Sequence, residues 1–466
     1  MKKLSMFNPK LSQQPKMKNR VLLINPAYEY KRRSVKRYTR IWPPLDLAIA
    51  GALLEERGFS VSILDINAIP VSIEELIKCV KNYDKIFITS GSLDRWQCPH
   101  LNIDSFISTV KEVKKINEND VYIFGPHPTM RAKELLKETK ADAAIIGEPE
   151  LTIVELCDSN ANLSQIKGIA YWENNEFKIN MPRLPADLSK FPVPAFHLLP
   201  MKSYYYEIMG DKFTLLETTR GCPFLCTFCS EDQMYGIRYR KKSLELIEKE
   251  IDACVHKYGI KNIYFIDLEF TLIKSFVNDI CDMLIKKDYD LRWACQTRAD
   301  TVDLDLLKKM SKAGCKIIHY GVESGSPKIL ESTEKRITIE GIRKGVNLAK
   351  DVGIEVVCFC MMGLPKETID DMKATVKFVK ELNPDYVSFH VATPYPGTKL
   401  YESVKNEVKG LFPASYEGMY NEEFVKRMIR RAYLEFYLRP SYLFSKLTKN
   451  PQLLLKQIKL FLDYIS

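Results

Sequence analysis

Short apolar runs alternate with amphipathic stretches along nearly the whole chain, and that alternation limits its fold more than any other feature. Val21-Leu22-Leu23-Ile24-Asn25, Val61-Ser62-Ile63-Leu64-Asp65, Lys85-Ile86-Phe87-Ile88-Thr89, Val121-Tyr122-Ile123-Phe124 and Ala143-Ala144-Ile145-Ile146 read as five buried strands. Amphipathic helices are predicted over 45–56, 73–80 and 103–115. Strand followed by helix, repeated, implies a parallel sheet with crossover helices, so residues 19–160 are expected to form a doubly wound α/β domain. Residues 161–210 read as a hairpin turning at Asn174-Asn175, followed by a proline-rich linker. A second series of six strand–helix units fills 211–402. Its strands are Phe213-Thr214-Leu215-Leu216, Ile263-Tyr264-Phe265-Ile266, Leu291-Arg292-Trp293-Ala294, Lys316-Ile317-Ile318-His319-Tyr320, the stretch 354–360, and Tyr386-Val387-Ser388-Phe389. The remainder, 403–466, reads as a helical extension rich in aromatic and basic residues.

In parallel α/β folds the chemistry lies beyond the carboxyl ends of the strands, and the notable motifs fall there. After the first strand of the second series comes Thr218-Thr219-Arg220-Gly221-Cys222-Pro223-Phe224-Leu225-Cys226-Thr227-Phe228-Cys229-Ser230. Three cysteines at Cys-x3-Cys-x2-Cys can hold three corners of an iron–sulfur cubane, and no fourth cysteine lies close by. An iron without a protein ligand is an open coordination site, the mark of a metal centre built for chemistry. A three-cysteine zinc site and three unconnected core thiols are the alternatives. Strand four of the second series ends in Gly321-Val322-Glu323-Ser324-Gly325, strand two in Asp267-Leu268-Glu269-Phe270, and strand three runs into Arg298. A guanidinium there suits either a carboxylate ligand or a structural ion pair.

Composition narrows the setting. No unbroken apolar run is long enough to span a membrane, and residues 1–18 are polar and basic without an apolar signal core, so a cytoplasmic protein is expected. Twelve cysteines then read as reduced thiols and metal ligands. The net charge of +10 is concentrated at the start, where the first forty residues carry twelve Lys or Arg against Glu29. No nucleic-acid motif accompanies them, so no nucleic-acid partner is expected.

The cysteine spacing, the aromatic Phe228 and the preceding Arg-Gly-Cys-Pro resemble the radical S-adenosylmethionine (SAM) superfamily. Gly363-Leu364-Pro365-Lys366-Glu367-Thr368 and Tyr395-Pro396-Gly397 extend the likeness. It implies an open (β/α)6 barrel and a [4Fe-4S] cluster on Cys222, Cys226 and Cys229. It also implies SAM contacts from Phe228, Glu323, Arg298, Gly363 and Pro365. In the N-terminal domain, Trp42-Pro43-Pro44-Leu45-Asp46 resembles the cobalamin-binding domain attached to many such enzymes. So do the strand ends Ser90-Gly91-Ser92, Gly125-Pro126-His127-Pro128-Thr129 and Gly147-Glu148. Cobalamin contacts are therefore expected from Ser90, Gly91, Ser92, Gly125, Pro126, His127, Thr129, Gly147 and Glu148. There is no Asp-x-His-x-x-Gly, so no histidine is expected as the lower axial ligand. A nucleotide-type flavodoxin-like domain is the alternative.

Phe436-Tyr437-Leu438-Arg439-Pro440 resembles the subgroup that holds anaerobic magnesium-protoporphyrin monomethyl ester cyclase and hopanoid-modifying enzymes. The resemblance implies a 5′-deoxyadenosyl radical that attacks an unactivated carbon, with cobalamin passing on a methyl group. The expected substrate is a large apolar molecule such as a lipid, isoprenoid or tetrapyrrole. An electron donor such as ferredoxin or flavodoxin and peripheral membrane contact through the tail are also expected. Radical ring closure or oxidation is one alternative, and a non-catalytic iron–sulfur or corrinoid carrier another. Cys358 and Cys360 are expected to fill the core, with a thiol near the substrate as the second possibility.

Overall fold

The structure, a computed structural model, describes residues 19–27, 40–116, 120–158, 162–418 and 420–449. The basic N-terminal stretch and the apolar segment 453–465 lie outside them. The described residues fall into two compact units, one holding 19–27, 40–223 and 230–262, the other 224–229 and the residues from 263 onward.

The first unit contains strands β1 (Arg20–Asn25), β2 (Ser60–Asp65), β3 (Lys85–Thr89), β4 (Asp120–Phe124), β5 (Ala143–Ile145), β6 (Ile169–Glu173) and β7 (Glu176–Ile179). They form one sheet in the order β2-β1-β3-β4-β5-β6-β7. β1 to β5 run parallel, as predicted, and the order reverses at β1 with β2 on one side and β3 on the other. The hairpin forms where Asn174 and Asn175 both adopt positive φ, the backbone a tight two-residue turn needs. It does not stand apart in a linker, however. β6 pairs antiparallel with β5 and extends the sheet, so the expected boundary at 161–210 lies inside this unit.

One detail of helix assignment also differs. The helix Leu45–Glu55 is not amphipathic: nine of its eleven residues are buried. The strand end Gly125-Pro126-His127-Pro128 opens the helix Pro126–Thr139. A proline in the first helical turn forfeits nothing, because the amide it lacks has no intrahelical acceptor. The unit also carries β8 (Phe213–Leu216) and a short antiparallel ribbon of β9 (Thr219–Arg220) with β10 (Arg240–Lys241).

The second unit continues the strand–helix series with β11 (Asn262–Phe265), β12 (Arg292–Thr297), β13 (Cys315–Glu323), β14 (Glu355–Met362) and β15 (Tyr386–Val391). Their spatial order is their chain order, and β12 to β15 pair in parallel. This is the expected partial (β/α) barrel. β13 outruns its predicted length because a register shift between Gly321 and Glu323 lets it continue past the sheet's regular ladder.

The helix Glu422–Tyr437, capped by the Asn421 side chain on the Phe424 amide, buries Val425, Ile429, Ala432 and Phe436. It lies along β15. The Tyr433 hydroxyl bonds both the amide (3.0 Å) and the carbonyl (3.4 Å) of Phe389, and the Tyr437 hydroxyl does the same at Val387 (3.1 and 3.0 Å). These phenols satisfy the polar groups that an edge strand otherwise exposes. The aromatic tail thus caps the barrel edge. Among the described residues no helix is long and apolar enough to cross a membrane.

Candidate active site

The loop bearing the three cysteines is shaped from both of its ends. Gly221 has φ +84°, and a Cβ there would lie 2.3 Å from the Arg238 carbonyl oxygen, so only glycine lets the chain turn into Cys222. Just before it, the Arg220 side chain is fully buried among carboxylates. Its Nε donates to Glu217 (2.7 Å), one Nη to Glu150 (2.5 Å) and the other to Glu148 (3.4 Å). Burial opposes its charge, but Glu150, Glu217 and Glu148 together hold its pKa well above the usual guanidinium range. Arg240 also donates to Glu148. Glu148, expected at the cobalamin edge, is therefore engaged in tying a strand-end loop to the segment that leads into Cys222. Burial pushes its pKa up against the pull of both arginines.

Further along, the Thr227 amide donates to the Thr333 carbonyl (2.9 Å), and the Thr227 carbonyl accepts from the Leu400 amide (2.7 Å). The loop backbone is thereby stitched between two barrel segments. Phe228 packs against Ile329, Leu364, Ala392 and Leu400, with Met361 beside it. All three loop thiols are reduced and half-buried, whereas Cys254, Cys281, Cys295, Cys315, Cys358 and Cys360 are buried. Among the described residues no three His, Cys, Asp or Glu side chains converge on a single point, as ligands of one lone ion must. In a cubane each thiolate binds a different iron, so three accessible thiols on one short loop are the donor set that cluster requires.

Around Cys226 stand the charged residues of the strand ends. Burial pushes its thiol up, with Lys335 opposing, Glu323 reinforcing, and Arg298 and Glu269 contributing less. Glu323 ends β13 with φ +61°, a left-handed backbone uncommon for a residue with a side chain. Its Oε1 accepts from Lys335 Nζ at 2.6 Å, and the same ammonium donates to the Gly321 carbonyl at 2.7 Å. A Cβ at Gly321 would sit 2.2 Å from that Nζ and 2.3 Å from the Glu323 carboxylate. The missing side chain of Gly321 is thus the space that the ion pair fills. Lys335 went unnoticed in the sequence, because nothing there marks a lysine twelve residues downstream as the partner of Glu323.

Arg298 is fully engaged within the protein. It makes two bonds to Asp300 (2.9 and 2.7 Å), donates to the carbonyls of Lys335 and Arg336, and lies 4.0 Å over the Phe224 ring. Of the two uses expected for it, this is the structural one. Glu269 accepts from the Arg298 amide (2.9 Å); burial pushes its pKa up to about 7, with Lys335 the main opposing charge. The Gly363–Thr368 loop folds around Glu367, which accepts from the amides of Gly363 (2.5 Å) and Leu364 (3.1 Å). Burial pushes Glu367 up to about 7. Gly363 takes φ +91°, and Thr368 caps the helix Ile369–Leu382, while Pro365 rides on the same loop. Cys358 and Cys360 are fully buried, as core filler.

In the first unit the expected cobalamin-facing loops hold one another. The Ser90 hydroxyl accepts from the His127 amide (3.2 Å) and contacts His127 Nδ1 (3.0 Å), while His127 Nε2 meets the His100 carbonyl (2.6 Å). Thr129 Oγ1 donates to the Gly125 carbonyl and accepts from the Gly147 amide. Gly125, at φ +103°, leaves no room for a Cβ against Ser90 Oγ at 2.9 Å. Trp96 Nε1 fixes the Gly91 carbonyl at 2.8 Å. Burial lowers the His127 pKa to about 4, so the ring is neutral with both nitrogens engaged. That fits a corrinoid held without an imidazole below the metal. Asp46, beside Ser92 and Glu150, is fully buried, and desolvation pushes its pKa up to about 8.

Residues 216–379 match the Radical SAM superfamily model, and residues 35–157 match the B12 binding domain model. The chain is 32% identical to an uncharacterized methyltransferase of Pyrococcus horikoshii, over 94% of this chain and 96% of that protein. It is 26% identical to the anaerobic magnesium-protoporphyrin IX monomethyl ester cyclase of Rubrivivax gelatinosus, over 93% of this chain and 80% of that one. Among solved structures, the cobalamin-dependent SAM radical enzyme OxsB, with aqua-cobalamin and SAM bound, shares the fold. Its TM-score is 0.73 at 17% identity, covering 98% of this chain and 75% of that one.

Proposed function

The chain belongs to the cobalamin-binding radical SAM enzymes, and on that premise we propose that it C-methylates a large, mostly apolar small molecule. Family membership brings a [4Fe-4S] cluster, SAM and cobalamin as cofactors, together with the need for an electron donor. When bound, these groups supply a one-electron reductant, a radical source and a methyl carrier; the protein supplies position and shelter from water. Cys222, Cys226 and Cys229 are the cluster ligands in this reading. Phe228 would flank the adenine of SAM, and Glu323, beside Lys335, would receive its amino group or ribose. The Gly363–Pro365 backbone, pinned by Glu367, walls the pocket. Ser90, Gly91, Ser92, Gly125, Pro126, His127, Thr129, Gly147 and Glu148 shape the cobalamin edge. Glu148, Ser90, His127 and Thr129 act there by bracing the loops.

The observation that carries methyl transfer is the 32% identity, over nearly full length, to a methyltransferase. An apolar substrate body is supported by Phe359 and Met361, which stay half-buried on a barrel face that parallel strands normally cover. Exposed Leu438, Phe444 and Leu447 on the C-terminal helices support contact with a bilayer surface where such substrates reside. A ferredoxin- or flavodoxin-type protein is the proposed donor. Ring closure or oxidation is the second reading, favoured by likeness to the cyclase along 93% of the chain.

The test is incubation of the reduced, reconstituted protein with SAM, cobalamin and a lipid extract of its host. Methyl transfer yields S-adenosylhomocysteine and 5′-deoxyadenosine in equal amounts with a product heavier by one methylene. Cyclisation yields 5′-deoxyadenosine alone. If neither nucleoside forms, both readings fail.

A further inference from the structure

The barrel strands carry a row of side chains that neither cofactor site uses. In parallel pairs, residues in register point to the same face. Gln296 is opposite His319, Gly321 opposite Phe359, and Phe359 opposite Ser388, so Gln296, His319, Phe359 and Ser388 share one face, with His390 two residues beyond Ser388. The Tyr264 hydroxyl joins them from β11, 3.2 Å from Gln296 Oε1 and 3.1 Å from His319 Nδ1. This face is turned away from the helices, because the alternate residue Phe389 packs on Tyr433 of the helix Glu422–Tyr437.

The rings form a ladder. Tyr264 lies 5.1 Å from His319, His319 5.3 Å from Phe359, and Phe359 5.9 Å from His390, each pair tilted or edge-on. Ser388 Oγ meets His390 Nε2 at 2.9 Å. Five strands wide, the row spans about 19 Å at the usual strand spacing. It lies below the Glu323–Lys335 pair, since Gly321, whose side-chain space that pair occupies, follows His319 on the same face. Gln296 and Phe359 are half-buried, although interior strands of a parallel sheet are ordinarily covered on both faces, and on the edge strand β15 Ser388 is half-buried and His390 exposed.

We propose that this row is the substrate platform, and that it selects a molecule with an oxyanion head, carboxylate or phosphate, on an apolar body. The proposal rests on the reading of the barrel as the site of substrate methylation. The accessible members of the row are the Gln296 amide, Phe359, the Ser388 hydroxyl and the His390 imidazole, backed by the buried Tyr264 and His319, and the six side chains include no carboxylate to repel an anion. Phe359, set between the two imidazoles, gives the body an apolar surface. His390 thus faces the head group directly, and His319 is a positioning residue behind it, acting through Tyr264 on Gln296.

Equilibrium binding of dodecanoate, dodecyl phosphate and dodecanol to the reconstituted holoenzyme tests this. At least one anion should bind ten or more times tighter than the alcohol, and which anion does so identifies the head group. His390→Gln, at an exposed position, should weaken that anion about fivefold and leave dodecanol unchanged, with full iron content confirming an intact protein. His319→Gln should do the same if it keeps its iron; if it loses iron, His390→Gln decides alone. Dodecanol binding as tightly as both anions overturns the proposal, as does anion binding insensitive to His390→Gln. Either result accompanied by normal cleavage of SAM leaves the methyltransferase reading standing. Absence of SAM cleavage in the wild-type protein refutes that reading separately.

Discussion

Replacing Arg220 by Met should be among the most damaging single changes outside the cofactor ligands. The side chain is fully buried, and the carboxylates it meets are nearly so: Glu150 is 1% exposed, Glu217 2% and Glu148 9%. Methionine keeps most of the volume, so the loss is electrostatic. Glu148 retains Arg240, but Glu217 and Glu150 lose their cation. Leaving buried carboxylates without a partner costs about 3–5 kcal/mol. For a unit of this size that lowers the melting temperature by roughly 6–20 °C. Denaturant titration and a thermal melt at pH 7.5 measure both quantities. Adding Glu150→Gln and Glu217→Gln should restore much of the loss, since a neutral cluster needs no cation. An Arg220→Met protein within about 1 kcal/mol of wild type at pH 7.5 would refute the reasoning.

Four further outcomes are expected. Anaerobic reconstitution should load about four irons, and replacing Cys222, Cys226 and Cys229 together by Ala should abolish the charge-transfer absorbance. Gly321→Ala drives a methyl group into the Glu323–Lys335 pair and should raise the dissociation constant for SAM at least tenfold, about 1.4 kcal/mol, by equilibrium dialysis. His127, depressed from 6.5 to about 4, stabilises the fold above pH 6.5, and that contribution of about 3 kcal/mol should be lost as the pH falls to 4. His127→Gln should flatten this part of the profile, and the Co(II) form of bound cobalamin should show no axial histidine splitting by electron paramagnetic resonance. Tyr433→Phe and Tyr437→Phe should each cost about 1–3 kcal/mol in denaturant titrations, by leaving polar groups on β15 unsatisfied.

Much of this architecture was legible in the sequence because apolar runs report burial directly. Val21 to Ile24, Ile86 to Ile88 and Val121 to Phe124 are buried strands as read, and Asn174-Asn175 marked its turn through the one backbone conformation asparagine tolerates well. Whether the hairpin after β5 joined the sheet depended on long-range pairing, which no local pattern encodes. Roles at the site were less legible for a related reason. Glu148 stands in a strand-end motif, but its partners Arg220 and Arg240 come from more than 70 residues downstream. The substrate row is scattered from Tyr264 to His390, one or two residues per strand, and only register makes it a surface. Glu323 is legible from its strand end; Lys335 is not, because the helix Pro327–Ser332 separates it from that strand and only the fold brings the two together.

The two phenols on β15 also decide where this chain tolerates changes in length. Four helical residues rise about 6 Å and two strand residues about 6.6 Å, so Tyr433 and Tyr437 step down the helix at the same pace as Phe389 and Val387 step down the strand. One residue inserted between the tyrosines would swing the second by about 100° around the helix axis, away from its rung. An insertion before Asn421 only lengthens the approach to the helix and leaves both rungs matched. Homologous tails should therefore vary freely in length up to the helix start while keeping a four-residue interval between these two rings.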